Sequence, residues 1–138
     1  MYIEAYDLIR EILGDAELEA HVLRTTGKGL TVIDGGPQVT TPAAVITFLG
    51  GDISRGENTR QDVGYRVTFA MPYWGADGMR RCHELLDVAI EAFFEHEIRS
   101  GNACRSYIKR VDPTLVEEDA EGKWWNVGLS AVVSTSRS

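Results

Sequence analysis

Cysteine, cationic residues and long apolar runs are all scarce in this chain, and each shortage closes off a class of function. Cys82 and Cys104 are its only cysteines, too few for a disulfide framework, and a reducing compartment keeps them as thiols. No apolar run approaches the roughly 20 residues of a membrane span. The opening Met1-Tyr2-Ile3-Glu4 lacks the basic start and continuous apolar stretch of a signal peptide, so synthesis and use in the cytoplasm are expected. Lys and Arg number 14 against 21 Asp and Glu, a formal charge of −7. That balance argues against wrapping nucleic acid, which needs clustered cations, but allows a negative wall that repels DNA.

Signatures of chemistry are missing as well. There is no G-x-S-x-G elbow, no phosphate-cradling G-x-x-x-x-G-K-[ST] or G-x-G-x-x-G, and no zinc spacing. His83 and Asp87 stand one helical turn apart, yet neighbouring Cys82 points about 100° away, toward the core. His21 and His96 have no ligand partner nearby in sequence. No metal, cofactor or catalytic residue is expected, and the chain is read as a non-enzyme.

What remains is an ordinary globular composition, 43% hydrophobic and 25% charged, over 138 residues: one domain, 1–138. Tyr2, Ile3, Tyr6, Ile9, Ile12 and Leu13 have the spacing of an amphipathic helix. Gly14 ends it, and Asp15 caps a shorter helix to about Leu23. Residues 29–34 suit a short edge strand, and Gly35-Gly36-Pro37 is a break. Ala43 to Leu49 reads as a strand ended by Gly50-Gly51. In the next strand Val63, Tyr65, Val67, Phe69 and Met71 share one face, the pattern of an antiparallel strand buried on one side. Pro72 stops it, and Asp77 caps a helix to about Ile98, closed by Ser100-Gly101-Asn102. Residues 105–111 form a third strand, 117–122 an acidic loop, and 124–135 the last strand, with a frayed tail over 134–138. The expected fold is α+β: a mainly antiparallel sheet of about four strands with helices packed on one face.

Three features have functional potential. Glu84, Asp87, Glu91 and Glu95 form an acidic stripe on the long helix. Like charges one turn apart cost an isolated helix roughly a few tenths of a kcal/mol per pair. The stripe is either a solvated outer face or an electrostatic surface toward a basic partner. Gly50 to Gln61 is a connection of twelve residues, well beyond an ordinary hairpin, holding Asp52, Ile53, Ser54, Arg55, Glu57, Asn58 and Arg60. It is either surface decoration or a binding arm. Finally, one of Trp124 and Trp125 faces away from the helices, and such a Trp is a frequent interface anchor.

This order of elements resembles the tail terminator and tail completion proteins of tailed bacteriophages and prophages. The resemblance rests on the opening helix Tyr2 to Arg10, the strand–long loop–strand unit around Gly50 to Gln61, the helix Met79 to Ile98 after Pro72-Tyr73-Trp74, and the closing strand Trp124 to Thr135. It implies a structural virion protein of the phage tail, assembled in the host bacterial cytoplasm. Such a protein forms a homo-hexameric ring that caps the tail tube, ends its polymerisation and joins it to a head or neck connector protein. DNA would pass through the lumen without specific binding, and the 50–61 loop would be an arm to a neighbour or the tube. The family has no catalytic residues to carry over. In a ring two different patches must be complementary. The cations Arg55, Arg60, Arg80, Arg81, Arg105, Lys109 and Arg110 stand apart from the stripe in sequence, so oppositely charged faces of neighbours can meet. The competing reading is a small-molecule-binding regulatory α+β domain acting as a dimer, for which an apolar pocket with convergent polar groups is the discriminating feature. An enzyme assembled from scattered residues such as His83, Asp87 and Tyr107 is the third.

Overall fold

The structure is a computed structural model that describes residues 2–35, 40–54, 59–99 and 104–137. Helix α1 (Tyr2–Leu13) buries Ala5, Leu8, Ile9, Ile12 and Leu13; of the expected stripe Ile9, Ile12 and Leu13 are inside, while Tyr2 and Ile3 are exposed and Tyr6 half-buried, because the buried face is turned toward Ala5 and Leu8. Helix α2 (Ala16–Thr26) begins where the Asp15 side chain accepts the Leu18 N–H, and ends at Gly27 in the left-handed region at φ 77°. After a 3-10 turn at Gly75–Asp77, helix α3 (Gly78–Glu95) turns Cys82, Leu85, Leu86, Ala89, Ala92 and Phe93 inward. Asp77 occupies the N-cap position without a side-chain hydrogen bond, so the expected cap is positional only.

The strands are β1 (Thr31–Asp34), β2 (Ala43–Ser54), β3 (Thr59–Pro72), β4 (Ile98–Arg99), β5 (Cys104–Val111), β6 (Leu115–Asp119) and β7 (Gly122–Arg137). Among the described residues they make one sheet in the order β1-β2-β3-β7-β5-β4, with β6 also on β7; β1 runs parallel to β2 and the other pairs are antiparallel. The α+β class and the single helical face hold, but the sheet has seven strands rather than about four. Short edge pieces such as β4 and β6 lack the length to show a period, and only pairing to a long neighbour makes them strands. The segment 117–122 thus belongs largely to the β6–β7 hairpin, and 134–137 continue β7 against β3 instead of fraying.

One face of the sheet is the core. Val63, Tyr65, Val67, Phe69 and Met71 of β3 lie opposite Val133, Ala131, Leu129, Val127 and Trp125 of β7, under α1 and α3. Each large side chain buried there contributes roughly 1.5–3 kcal/mol. Trp125 packs on α3 at Gly78, where an added Cβ would collide with three indole atoms, and its ring stacks on Tyr73 at 6.1 Å between centroids. The even-numbered residues of β3 and β7 point to the other face, which no helix covers.

Candidate assembly surfaces

The expected loop 50–61 is mostly sheet. β2 and β3 stay paired out to Ser54 and Arg60, through a register shift between Phe48 and Gly50. Gly50 has φ 91°, and at Gly51 a Cβ would collide with the Asp62 carbonyl, so the glycine pair that reads as a strand end is a bulge that lets the strand continue. β7 supports this end of the hairpin as far as Arg137. Asp52, Ser54 and Arg60 therefore sit on the open sheet face, and Ile53 on the helix face opposite the buried Gln61; the first four are exposed. Arg55, Glu57 and Asn58 lie outside the described residues, as do Ser100, Gly101 and Asn102. The long helix, expected to run to about Ile98 and close at those last three, instead ends at Glu95 with His96 as its C-cap, because Ile98–Arg99 pair with β5 as a strand.

The acidic stripe is where the periodicity puts it. Glu84, Asp87, Glu91 and Glu95 are exposed on the side of α3 away from the sheet. Asp87, Glu91 and Glu95 join Asp15 and Glu17 in lining a cleft of about 270 Å³ beside α2. Arg80 interrupts the stripe by pairing with Glu84 at 3.3 Å. Arg81, expected among the free cations, lies over the Trp74 ring at 5.7 Å from its centroid. These two corrections follow from helix geometry: residues next to the stripe in sequence remain on or beside its face.

The other cations gather on the open sheet face. Arg66 of β3 and Arg110 of β5 converge on Asp112 at 3.3 and 3.2 Å. Arg60 pairs with Asp62 at 3.2 Å, and Ser134 donates to the same carboxylate. Arg105 lies opposite Ser134, and Lys109 borders a trough of about 420 Å³ with Gly50, Gly64 and Ser130. Tyr107 is on this face too, so the sheet separates it from His83 and Asp87 and the three are not brought together. Trp124 faces away from the helices, half-buried, its indole N–H donating to Asn126 Oδ1 at 3.2 Å. The charged faces are thus opposite sides of one molecule, which alternation along β3 and helical period along α3 together make legible.

Two features escaped sequence reasoning. Tyr2, Ile3, Ile46, Phe48 and Tyr65 line an apolar groove of about 870 Å³ between α1 and the β1–β2 edge. At its rim Tyr6 donates to Asp34 at 2.6 Å while Arg10 donates to both, at 2.9 and 3.3 Å. The Asp34 hydrogen bond, and then burial, raise the Tyr6 pKa against the opposing pull of Arg10. The signal was present, since Tyr2 and Ile3 lie at the edge of the α1 stripe, but which strand they meet is not local information. The second feature joins residues 81 apart: His96 Nε2 lies 2.9 Å from Asp15 Oδ1. Glu95 brings a third donor atom within 4.8 Å, but both Asp15 oxygens are already engaged, by His96 and by the Leu18 N–H. Burial pushes the Asp15 carboxyl upward, and the His96 and Leu18 hydrogen bonds outweigh it, holding the group below its usual range. This contact ties the start of α2 to the end of α3. No described helix is long and apolar enough to cross a membrane.

No protein-family model matches the chain, and no curated protein does. Among solved structures, a chain of the virion of a native gene transfer agent particle aligns over 92% of this chain and 91% of its own, with a TM-score of 0.48 and 15% identity.

Proposed function

We propose that the chain is a structural virion protein of a tailed phage or prophage, a tail terminator that assembles into a hexameric ring. The ring caps the tail tube, ends its polymerisation and joins it to a head or neck connector protein, with DNA passing through the lumen unread. It acts by surface complementarity, without catalytic chemistry, in the virion tail after assembly in the host bacterial cytoplasm. The observation that carries this reading is the apolar groove beside β1, an edge strand among the described residues. Its walls Tyr2, Ile3 and Phe48 are 45%, 65% and 56% exposed. A contiguous apolar surface next to an edge strand is costly to leave in water, and it suits the side chains of a macromolecular partner such as the tube protein. The paired strand ends at 52–54 and 59–60 support the same reading as an arm, as an extension of the sheet rather than a loop.

The groove also favours a second reading, a small-molecule-binding regulatory dimer, because it combines apolar lining with the convergent Tyr6 and Asp34. Ligand sites of that kind bury most of the ligand, about 70–90% of its surface. Half-exposed walls fit that poorly, so we rank it second. Light scattering at high protein concentration with negative-stain imaging separates the two. A ring with a central hole is expected; a stable dimer that binds small apolar acids or amines refutes the virion reading.

A further inference from the structure

The two charged faces lie on opposite sides of the molecule, and a second copy of the chain supplies the complement to each. We infer that the lateral contact between copies seats the acidic face of α3 on the neighbour's open sheet face. This rests on the ring reading above and specifies which surfaces meet.

The carboxylates of Glu84, Asp87 and Glu91 project from α3 directly away from the sheet, exposed and in line. The opposite surface presents Arg105 and Lys109, both exposed and with no ion pair among the described residues, beside the paired Arg66 and Arg110. On β2, β3, β5 and the turn at Asp112, the five cations Arg60, Arg66, Arg105, Lys109 and Arg110 outnumber the carboxylates Asp52, Asp62 and Asp112, in a chain whose overall charge is −7. Between Lys109 and the Arg60-paired Asp62 the sheet is floored by Gly50, Gly64 and Ser130, with Asp52 at the rim, leaving a trough of about 420 Å³ on whose Lys109 side the ridge of a helix can settle. Because the patches are different and on opposite sides, the contact is heterologous. It generates a ring or a filament and never a two-fold dimer. It also relieves the like-charge repulsion along α3, which the Arg80–Glu84 pair offsets only at the start of the stripe.

The test exploits the head-to-tail geometry. One variant carries Asp87→Lys and Glu91→Lys, the other Arg105→Glu and Lys109→Glu. All four positions are exposed, so each variant is expected to melt like the wild type. In either variant alone the two faces repel, and association weakens by about 100-fold or more, since like-charge juxtaposition across an interface costs several kcal/mol. In an equimolar mixture every contact is again between opposite charges when the variants alternate, which an even-numbered ring permits. The expected result is therefore rings from the wild type, monomers from each variant, and rings from the mixture. Wild-type rings should also dissociate between about 50 and about 500 mM salt as screening increases. Rings from either variant alone would overturn this contact and leave the ring reading standing. Variants that melt normally, fail alone and fail together would overturn the pairing of these two faces. A wild type that stays monomeric up to about millimolar concentration, where weak contacts with a Kd near 1 mM populate, would overturn the ring reading and this inference with it.

Discussion

Asp15 offers a perturbation whose magnitude follows from two bonds. Its Oδ2 accepts the Leu18 N–H at 3.1 Å, and removing an N-cap side chain costs about 1 kcal/mol. Its Oδ1 lies 2.9 Å from His96 Nε2. A hydrogen bond to a charged group contributes about 1.5–3 kcal/mol, and the low end applies because the His96 side chain is 30% exposed. Asp15→Ala should therefore lose about 2.5 kcal/mol, which lowers Tm by roughly 8–12 °C in a domain of this size. Asp15→Asn keeps a capping oxygen and should lose only about 1.5 kcal/mol. Urea titrations near neutral pH read both values. The pH dependence has a fixed sign: the folded carboxyl is held below the usual 3.8, so the unfolded group takes up its proton first as pH falls. The Asp15 contribution is fully present above that value and disappears as pH drops through the folded pKa, so wild type and Asp15→Ala should converge in acid. An Asn variant as stable as wild type would refute the His96 contribution, and equal losses for Ala and Asn would refute the capping role. An Ala variant within about 0.5 kcal/mol of wild type would refute both.

Other consequences are as concrete. Gly78→Ala brings a methyl into collision with the Trp125 indole; overpacking by about 1–3 kcal/mol outweighs a helix-propensity gain of under about 1, so a net loss near 1–2 kcal/mol is expected by thermal melt, and an unchanged Tm would contradict the Trp125 packing. Burial, and then Arg24, lower the His21 pKa from 6.5, so the unfolded chain binds the proton first and stability falls as pH drops below that value. His21→Leu should flatten the slope of the urea midpoint across this range, and an unaltered slope would place the titration elsewhere. Burial pushes the Cys82 thiol up to about 11, so iodoacetamide should leave it unmodified in the native protein and alkylate it only after unfolding. Asp52, Ile53, Ser54 and Arg60 are exposed, so on deleting 52–60 folding should survive with Tm down by less than about 5 °C, while light scattering should show assembly lost. Intact rings from that deletion would dismiss the arm.

Period-two and period-3.6 patterns are local, and where they ran long they were legible. The buried faces of β3 and β7, the Asp15 cap and the outward acidic stripe follow from the spacing of apolar and charged residues along one element; on α3 the spacing places Cys82, Leu86, Ala89 and Phe93 inward, but Met79 on the same stripe is exposed and Ile90 half-buried. The same alternation assigns Arg66 and Asp62 to the opposite face of β3, so the charged open face was implicit in the sequence. Boundaries failed where a break signal had a second meaning: Gly50-Gly51 reads as an end, yet a strand pair needs glycine there to carry a bulge past Asp62.

The sequence by itself determined which side of each long element is buried, because the hydrophobic effect acts on every residue through its position in the local repeat. Only the tertiary structure decided which elements meet. The Asp15–His96 pair, the convergence of Arg66 and Arg110 on Asp112, and the groove between α1 and the β1–β2 edge join residues far apart in the chain. Such meetings are set by sheet order and helix packing, which depend on the whole core at once and leave no mark in any short window of sequence.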